Sequence, residues 1–250
     1  MRFTYEYQNN SRLWGGDCIS WLTEKKRYIP FDLVFADPPF NIGYKYDQYQ
    51  DKRSAYDYLS WCKKWMYAVR NIPSSFNFWI AISDEFAAEL CVMAKSMGFR
   101  MRNWVVWEYN FGTHQNTKFG RNKTHLLYFT WGESAVWDIS NIRVESQRQA
   151  AGDKRAKPGG RVPGDVWHFP RLNGRAKERV HWHPCQMPIS VLARIVLACT
   201  PSRGRILDLF SGSGSMLETG LSLGRSVYGC EISRRYCIGI NDRLAKYRVS

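Results

Sequence analysis

The chain has 250 residues, 44% hydrophobic and 15% aromatic, which is enough for one sizeable α/β domain with an inserted segment. Its formal net charge of +14 suits a polyanionic partner, and no apolar run approaches the roughly 20 residues that a membrane helix needs. Because the N-terminus also lacks the apolar core of a signal peptide, we expect a cytoplasmic protein with no membrane contact.

The first motif in chain order is a proline-rich turn that follows a buried strand. An apolar run over 31–36 predicts the strand, and Asp37, Pro38, Pro39 and Phe40 follow it directly. Open α/β sheets bind ligands where strands end, and the two prolines stiffen the turn. A carboxylate and an aromatic ring held there can grip a planar group that carries an exocyclic amine, such as a nucleobase. The alternative is a purely structural turn.

Strands and helices alternate through the rest of the first half. The apolar spacing predicts helices over 56–70 and 85–97, and strands over 76–82, 104–107 and 126–130. Alternation of this kind predicts an α/β fold with a mainly parallel sheet and helices on both faces.

Five aromatic residues of this half are candidates for a base pocket, because nucleobases stack on aromatic rings. We expect Trp104 to pack in the core, whereas Trp107 and Tyr109, at a strand end, suit either the core or the pocket. Tyr44 and Tyr46 follow the proline turn and would cover the pocket as a mobile loop. Ordinary surface tyrosines are the alternative there.

The middle of the chain is basic and irregular. Residues 141–180 contain ten Lys or Arg and four Asp or Glu, a net charge of +6. Polar residues, glycine and proline are frequent and the apolar periodicity is weak, so this segment is predicted to be a loop or a partly mobile insertion.

The second half begins with a polar segment over 183–188, and a helix to about residue 198 is predicted after it. His181, His183 and Cys185 alternate there, but no second ligand cluster lies at zinc-finger spacing, so we expect no metal. The seven cysteines form no CxxC pair, and most should be buried thiols.

A glycine-rich turn and an acidic strand end follow. A strand is predicted over 206–210, then the turn 211–214, a helix over 216–223 and a second strand over 225–231 that ends on Glu231. Glycines at a helix start let a ligand approach the backbone closely, and an acid on the next strand can accept hydrogen bonds from ribose hydroxyls. The dinucleotide fingerprint is not met, because its third glycine position is occupied by leucine.

Four segments together resemble the β class of amino-group DNA methyltransferases, which methylate adenine N6 or cytosine N4. They are Gly15-Gly16-Asp17-Cys18, the DPPF turn at 37–40, HPCQMP at 183–188 and FSGSG at 210–214. The catalytic turn precedes the cofactor turn, as in the circular permutation of that class. The resemblance spans about 15–244 and implies an S-adenosylmethionine-dependent methyltransferase (Rossmann-like) fold over 1–250, with a basic target-recognition region inserted at 133–180.

The resemblance also implies roles for individual residues. The family has threonine and lysine where Cys185 and Met187 stand, which leaves the roles of those two side chains open. The implied catalytic residues are Asp37, Pro38, Pro39 and Phe40. The implied cofactor-binding residues are Asp17, Cys18, His183, Gln186, Asp208, Phe210, Ser211, Gly212, Ser213, Gly214 and Glu231.

The inserted region would contact DNA. Most of its cationic side chains should touch phosphates and few can read base edges, and any single one is more simply a solvated charge. The candidates are Arg143, Arg148, Lys154, Arg155, Lys157, Arg161, Arg171 and Arg175.

The resemblance implies methyl transfer from S-adenosylmethionine to a base flipped out of double-stranded DNA. Adenine N6 is favoured because the motif begins with Asp37, whereas enzymes that modify cytosine N4 typically have serine there. Cytosine N4 is the close alternative. A non-catalytic DNA-binding relative and a protein or small-molecule methyltransferase are less favoured, since both motifs look intact and the insertion is basic. A homodimer is left open.

Overall fold

The computed structural model describes residues 3–25, 29–113, 116–117, 119–133, 135–155 and 158–249. Within these residues, nine strands form one sheet: β1 (Phe3–Tyr7), β2 (Ser11–Gly15), β3 (Leu33–Ala36), β4 (Phe76–Ile82), β5 (Arg100–Thr113), β6 (Arg121–Trp131), β7 (Val166–His168), β8 (Arg205–Asp208) and β9 (Ser226–Glu231). The helices are α1 (Cys18–Lys25), α2 (Ala55–Arg70), α3 (Ala87–Ser96), α4 (Gln147–Ala150), α5 (Ile189–Cys199), α6 (Ser215–Ser222) and α7 (Arg234–Arg243).

The sheet is mainly parallel, as the alternation of strands and helices predicts. Its strand order is β1-β2-β9-β8-β3-β4-β6-β5-β7. The run from β2 to β4 is parallel throughout, and β7 is parallel to β5. Antiparallel pairing occurs between β1 and β2 and on both sides of β6. The carboxyl ends of β9, β8, β3 and β4 therefore lie side by side at one edge.

Helices cover both faces of this sheet, which explains why the central strands β3 and β4 are apolar except for Asn77. Every residue of β3 and β4 is buried. Val34 and Ala36 face the core formed with α1, α2 and α3, whereas Leu33 and Phe35 face α5, α6 and α7. No helix in the described part of the chain is long and apolar enough to cross a bilayer.

Most predicted elements agree with the structure to within a few residues. The strand predicted over 76–82 matches β4, and the helix predicted over 56–70 matches α2. The predicted strands at 104–107 and 126–130 are the centres of the much longer β5 and β6. No element was predicted before residue 31, where the structure has β1, β2 and α1.

The basic middle region is more ordered than its composition predicts. It contains α4 and β7, and β7 extends the sheet by pairing with β5. Ile142 and Trp167 are buried in the core, and just before this region the backbone N–H of Asp138 donates to the carbonyl of Ala198. The prediction of a loop or partly mobile segment was therefore wrong for these parts, because apolar anchors between the charged residues pack on the sheet.

Candidate active site

A cleft of about 400 Å³ opens at the carboxyl ends of the parallel strands. Glu231 ends β9, Asp208 ends β8, Asp37 follows β3 and Ser83 follows β4. All four side chains line this one cleft although they come from distant parts of the sequence. Parallel strands gather their carboxyl ends at one edge, and ligands of α/β folds bind there.

The proline turn holds Asp37 at the centre of the cleft. The hydroxyl of Tyr58, on α2, donates to the carbonyl of Pro39 at 2.8 Å, which fixes the turn against the core. Asp37 is largely enclosed by protein, and this burial raises the pKa of its carboxyl group to about 7. Phe40 lines the cleft and packs partly against the core on the α2 side.

The loop after the turn is firmly anchored. The buried carboxylate of Asp51 accepts backbone N–H groups from Asn41 at 2.7 Å and Tyr44 at 2.9 Å. The Ser233 hydroxyl, just beyond β9, donates to Asp47 at 2.6 Å. Tyr46 lies over the cleft with its ring centroid 6.0 Å from that of His183. Tyr44 and Tyr46 thus cover the cleft, as predicted, but on a loop bonded at both ends.

The glycine turn and Glu231 form one hydrogen-bonded unit. The Glu231 carboxylate accepts the backbone N–H groups of Gly212 and Ser233, each at 2.8 Å. Gly212 and Gly214 have φ angles of +47° and +76°, a region that favours glycine. A Cβ on Gly212 would lie 2.9 Å from Nε2 of His183. Glycine at position 212 therefore leaves room for the His183 imidazole to pack against the turn.

Three carboxyl groups of the cleft are largely enclosed by protein. Burial raises the pKa of Asp208 to about 8 and that of Glu231 to about 7, similar to Asp37. The backbone N–H groups bonded to Glu231 and Asp208 act in the opposite direction but do not outweigh burial. Such a cleft is electrostatically complementary to a cationic ligand.

Two further polar groups are buried beside the glycine turn. Oγ of Ser211 and Nδ1 of His183 lack a hydrogen bond of good geometry within the described residues, although Ser211 lies close enough to Asp208, and His183 to the Cys185 backbone, to influence the pKa values. Burial lowers the pKa of His183 to about 4, so its imidazole is neutral near pH 7. Buried polar groups are normally paired, so both atoms are candidates to contact a bound molecule.

The structure gives several predicted cofactor residues internal partners. Oε1 of Gln186 accepts from Val180 at 2.8 Å, and its Nε2 donates to the Glu178 carbonyl at 2.7 Å, so this amide holds the preceding loop. Asp17 accepts the N–H of Ser20 at 2.9 Å in the first turn of α1. The other predicted residues that line the cleft are Cys18, Asp208, Phe210, Ser211, Gly212, Ser213, His183 and Glu231; Gly214 is the N-cap of α6 beside them.

The far wall of the cleft comes from β4, β5 and β6. Trp107 and Tyr109 are buried in the core and also line the cleft. Both positions considered from the sequence, core and pocket, therefore apply to them. The Arg171 guanidinium lies 5.4 Å above the Tyr109 ring. Trp104 instead donates to Nδ1 of His125 and packs outside the cleft, as expected. Sequence reasoning missed Ser83, which lines this wall.

The predicted DNA contacts fall into different settings. Arg171 is in the cleft, whereas Arg143 donates to the carbonyls of Gly159 and Gly160 and holds its own loop. Arg155 forms an ion pair with Asp153 at 3.0 Å. Lys157 lies outside the described residues. The remaining candidates are solvent-exposed: Arg148, Lys154, Arg161 and Arg175.

Comparison with known proteins gives a family match over most of the chain. The model of the N6/N4 methyltransferases, described as DNA methylase, matches residues 31–242. The type II methyltransferase M.ScaI of Streptomyces caespitosus is 32% identical over 241 residues, covering 90% of this chain and 78% of the relative. M.BglII of Bacillus subtilis is 31% identical over 255 residues, covering 93% and 68%.

Solved structures show the same fold at low sequence identity. The cytosine-N4-specific PvuII DNA methyltransferase has a TM-score of 0.71 at 14% identity, over 98% of this chain and 90% of its own. The complex of M1.HpyAVI with SAM has a TM-score of 0.64 at 16% identity, over 93% and 98%.

Proposed function

The chain belongs to the N6/N4 DNA methylase family, and from this premise we propose that it transfers a methyl group from S-adenosylmethionine to N6 of adenine in DNA. The observation that carries the proposal is the position of Asp37. Asp37 follows β3, which lies between β8 with its glycine turn and β4 on the side of the aromatic wall, and all of these line one cleft.

The residues on the β8 and β9 side fit S-adenosylmethionine. Glu231 uses each carboxylate oxygen for one backbone N–H, which leaves acceptor capacity for ribose hydroxyls. Gly212 and Ser211 line the cleft beside Glu231, and the buried Ser211 hydroxyl lacks a hydrogen bond of good geometry within the described residues. When bound, the cofactor supplies an electrophilic methyl group on a cationic sulfonium, and that cation favours the ionised forms of Asp208 and Asp37, whose pKa values burial raises.

The residues on the β3 and β4 side would hold the target base. The amino group of a base is hidden in duplex DNA, so the base must leave the stack to enter the cleft. Phe40 provides a surface for stacking. Asp37 and the Pro38 carbonyl accept the two amino hydrogens, which orients the nitrogen lone pair and stabilises the positive charge that develops on nitrogen. Alignment of the two reactants supplies much of the acceleration.

Cytosine N4 is the second candidate. The acceptor pair of Asp37 and Pro38 contacts the exocyclic amine, a group that both bases share, and the family includes both chemistries. Adenine is favoured by the aspartate at position 37 of this chain.

A methyl-transfer assay tests the proposal. Sequencing of DNA from cells that express the protein identifies the modified base and its sequence context. Radiolabelled transfer to that sequence in vitro, followed by nucleoside analysis, should yield N6-methyladenine. N4-methylcytosine as the product would establish the second candidate instead. Absence of transfer with retained DNA binding would indicate a non-catalytic relative.

A further inference from the structure

Ser83 is a buried polar residue of the cleft that the chemistry described so far does not use. It is the first residue after β4, its exposure is 8%, and it lines the cleft. Its Oγ has no hydrogen-bond partner among the described residues. An unpaired buried hydroxyl costs free energy, so such a group at a ligand cleft points to a partner on the ligand.

The polar groups around Ser83 are already bonded within the protein. The carboxylate of Asp84 pairs with Arg121 at 3.4 Å, and the same guanidinium reaches Glu85 at 3.6 Å. The hydroxyl of Tyr109 donates to the Lys123 carbonyl at 3.0 Å. The Ser83 hydroxyl, by contrast, is buried on this wall without a hydrogen bond from the described residues, so it is available to a ligand.

The strand order places Ser83 on the base side of Asp37. β3 has two neighbours, β8 on the side of the glycine turn and β4 on the other side. Ala36 pairs with Ile80, so Asp37 is level with Ala81, and Ser83 follows two residues later on the adjacent strand. Neighbouring strands lie about 5 Å apart. A base whose amine reaches Asp37 thus extends its adjacent edge toward Ser83.

We propose that the Ser83 hydroxyl donates a hydrogen bond to the ring nitrogen next to the exocyclic amine of the flipped base. This inference rests on the proposed function. In adenine that atom is N1, and in cytosine it is N3; both are acceptors. An ionised Asp37 can only accept, whereas a serine hydroxyl can donate, so together the two residues read a donor and an acceptor that lie side by side. Ser83 is then a specificity-determining residue for this reaction.

The test combines a protein variant with a modified base. Wild type and Ser83→Ala are assayed on duplexes with adenine or 1-deazaadenine at the target position, since the analogue replaces N1 by CH. On adenine, Ser83→Ala should lose about tenfold in kcat/KM, as expected for one lost hydrogen bond. On 1-deazaadenine the two proteins should have equal kcat/KM, because the bond is absent in both. If the product is N4-methylcytosine, 3-deazacytosine replaces the analogue.

Controls separate this role from a structural one. Ser96→Ala, on the exposed side of α3, should match wild type on both duplexes. Ser83→Ala should keep the S-adenosylmethionine affinity and melting temperature of wild type. If Ser83→Ala does not fold, Ser83→Thr, which retains the hydroxyl, is compared with Ser83→Val on the two duplexes.

The outcomes distinguish the two hypotheses. Wild type that methylates neither base would refute the proposed function. Wild type that methylates DNA, with a ratio of wild-type to variant rate that is the same on both duplexes, would overturn the role of Ser83 alone. A ratio of about ten on adenine that falls to one on the analogue supports it.

Discussion

Single carboxyl groups define the chemistry at the scale of the residue. Asp37 and Glu231 each stand where a strand ends, and both line the same cleft. Their settings differ, because Glu231 accepts two backbone N–H groups, whereas burial alone dominates at Asp37. A carboxylate with bonded N–H groups is held in one orientation, which suits ribose binding, and a less restrained carboxylate can meet an incoming amine.

Substitution of Asp37 should separate chemistry from cofactor binding. We expect Asp37→Ala to reduce methyl transfer by about 100-fold or more, by analogy with removal of one group from a preorganised site. Affinity for S-adenosylmethionine should stay close to that of wild type. Single-turnover assays and calorimetry measure the two quantities. Full activity in this variant would mean that the turn is structural.

Substitution of Glu231 should have the reverse effect. Glu231→Ala removes the proposed ribose contacts and should weaken S-adenosylmethionine binding by about 1–3 kcal/mol. Glu89→Ala, on the exposed surface of α3, is the matched control and should bind as wild type does. Calorimetry that detects no binding to folded wild type would contradict the cofactor assignment, and equal affinity in both variants would contradict the role of Glu231.

At the scale of elements, the basic middle region has one part that packs on the sheet and another that is exposed to solvent. β7 and the buried Trp167 fix it to the sheet, while exposed cations such as Arg148 and Lys154 face solvent. Arg171 reaches from the same region into the cleft. If this region contacts DNA as proposed, it holds the DNA at a fixed distance from Asp37, because β7 belongs to the same sheet as β3, which Asp37 follows.

Neutralising the exposed part of this region should weaken DNA binding. The triple change of Lys154, Arg155 and Lys157 to Ala is expected to lower DNA affinity and flatten its salt dependence, because fewer counterions are released. S-adenosylmethionine affinity should not change. The matched control is Lys63, Lys64 and Lys95 to Ala, which removes the same charge from α2 and α3. Unchanged affinity and salt slope in the first variant would exclude these residues from the DNA surface.

At the scale of the whole molecule, a strongly basic protein contains an acidic cleft. The net charge is +14, yet Asp37, Asp208 and Glu231 gather at one edge of the sheet. The overall charge attracts DNA at long range, whereas the local carboxylates attract a cation at short range. The two effects need not compete, because salt screens distant charges more than enclosed ones.

The raised carboxyl pKa values predict a pH dependence of stability. Unfolded carboxyl groups titrate near pH 4, whereas burial raises the pKa of Asp37, Asp208 and Glu231 to about 7, 8 and 7. The folded, ligand-free protein therefore retains protons that the unfolded chain releases, and the contribution of these three carboxyl groups to stability falls as pH rises until it levels off above about pH 8. We expect a lower melting temperature at pH 8.5 than at pH 6.5.

Bound S-adenosylmethionine should offset this loss, because its sulfonium favours the ionised carboxylates. The increase in melting temperature on adding cofactor should thus grow between pH 6.5 and 8.5, and Asp37→Asn should reduce that growth. The pH range of this test starts at 6.5 because burial lowers the pKa of His125 and of His183. At lower pH the unfolded chain binds protons that these buried histidines do not, which would also lower stability. A cofactor-induced shift that is independent of pH would contradict the electrostatic account.

Short-range patterns in the sequence were sufficient to predict the features that depend on residues close together along the chain, namely the central strands and the turns that follow them. The apolar runs that form β3, β4 and β8 are buried from both sides, so their composition alone marks them. The DPPF and FSGSG turns follow strands directly, so their position at the cleft edge was predictable. The family assignment came from the same local motifs and their order, and the family match confirms it.

Only the tertiary structure decided which groups meet across the sheet. Ser83 carries no sequence signal, because a serine after a strand is ordinary until β4 is placed beside β3. Gln186 matched a cofactor motif, yet its amide is used by the backbone of the preceding loop. The raised pKa values likewise follow from enclosure by segments more than 150 residues apart along the chain. Enclosure and partner choice are long-range properties, and chain order alone does not specify them.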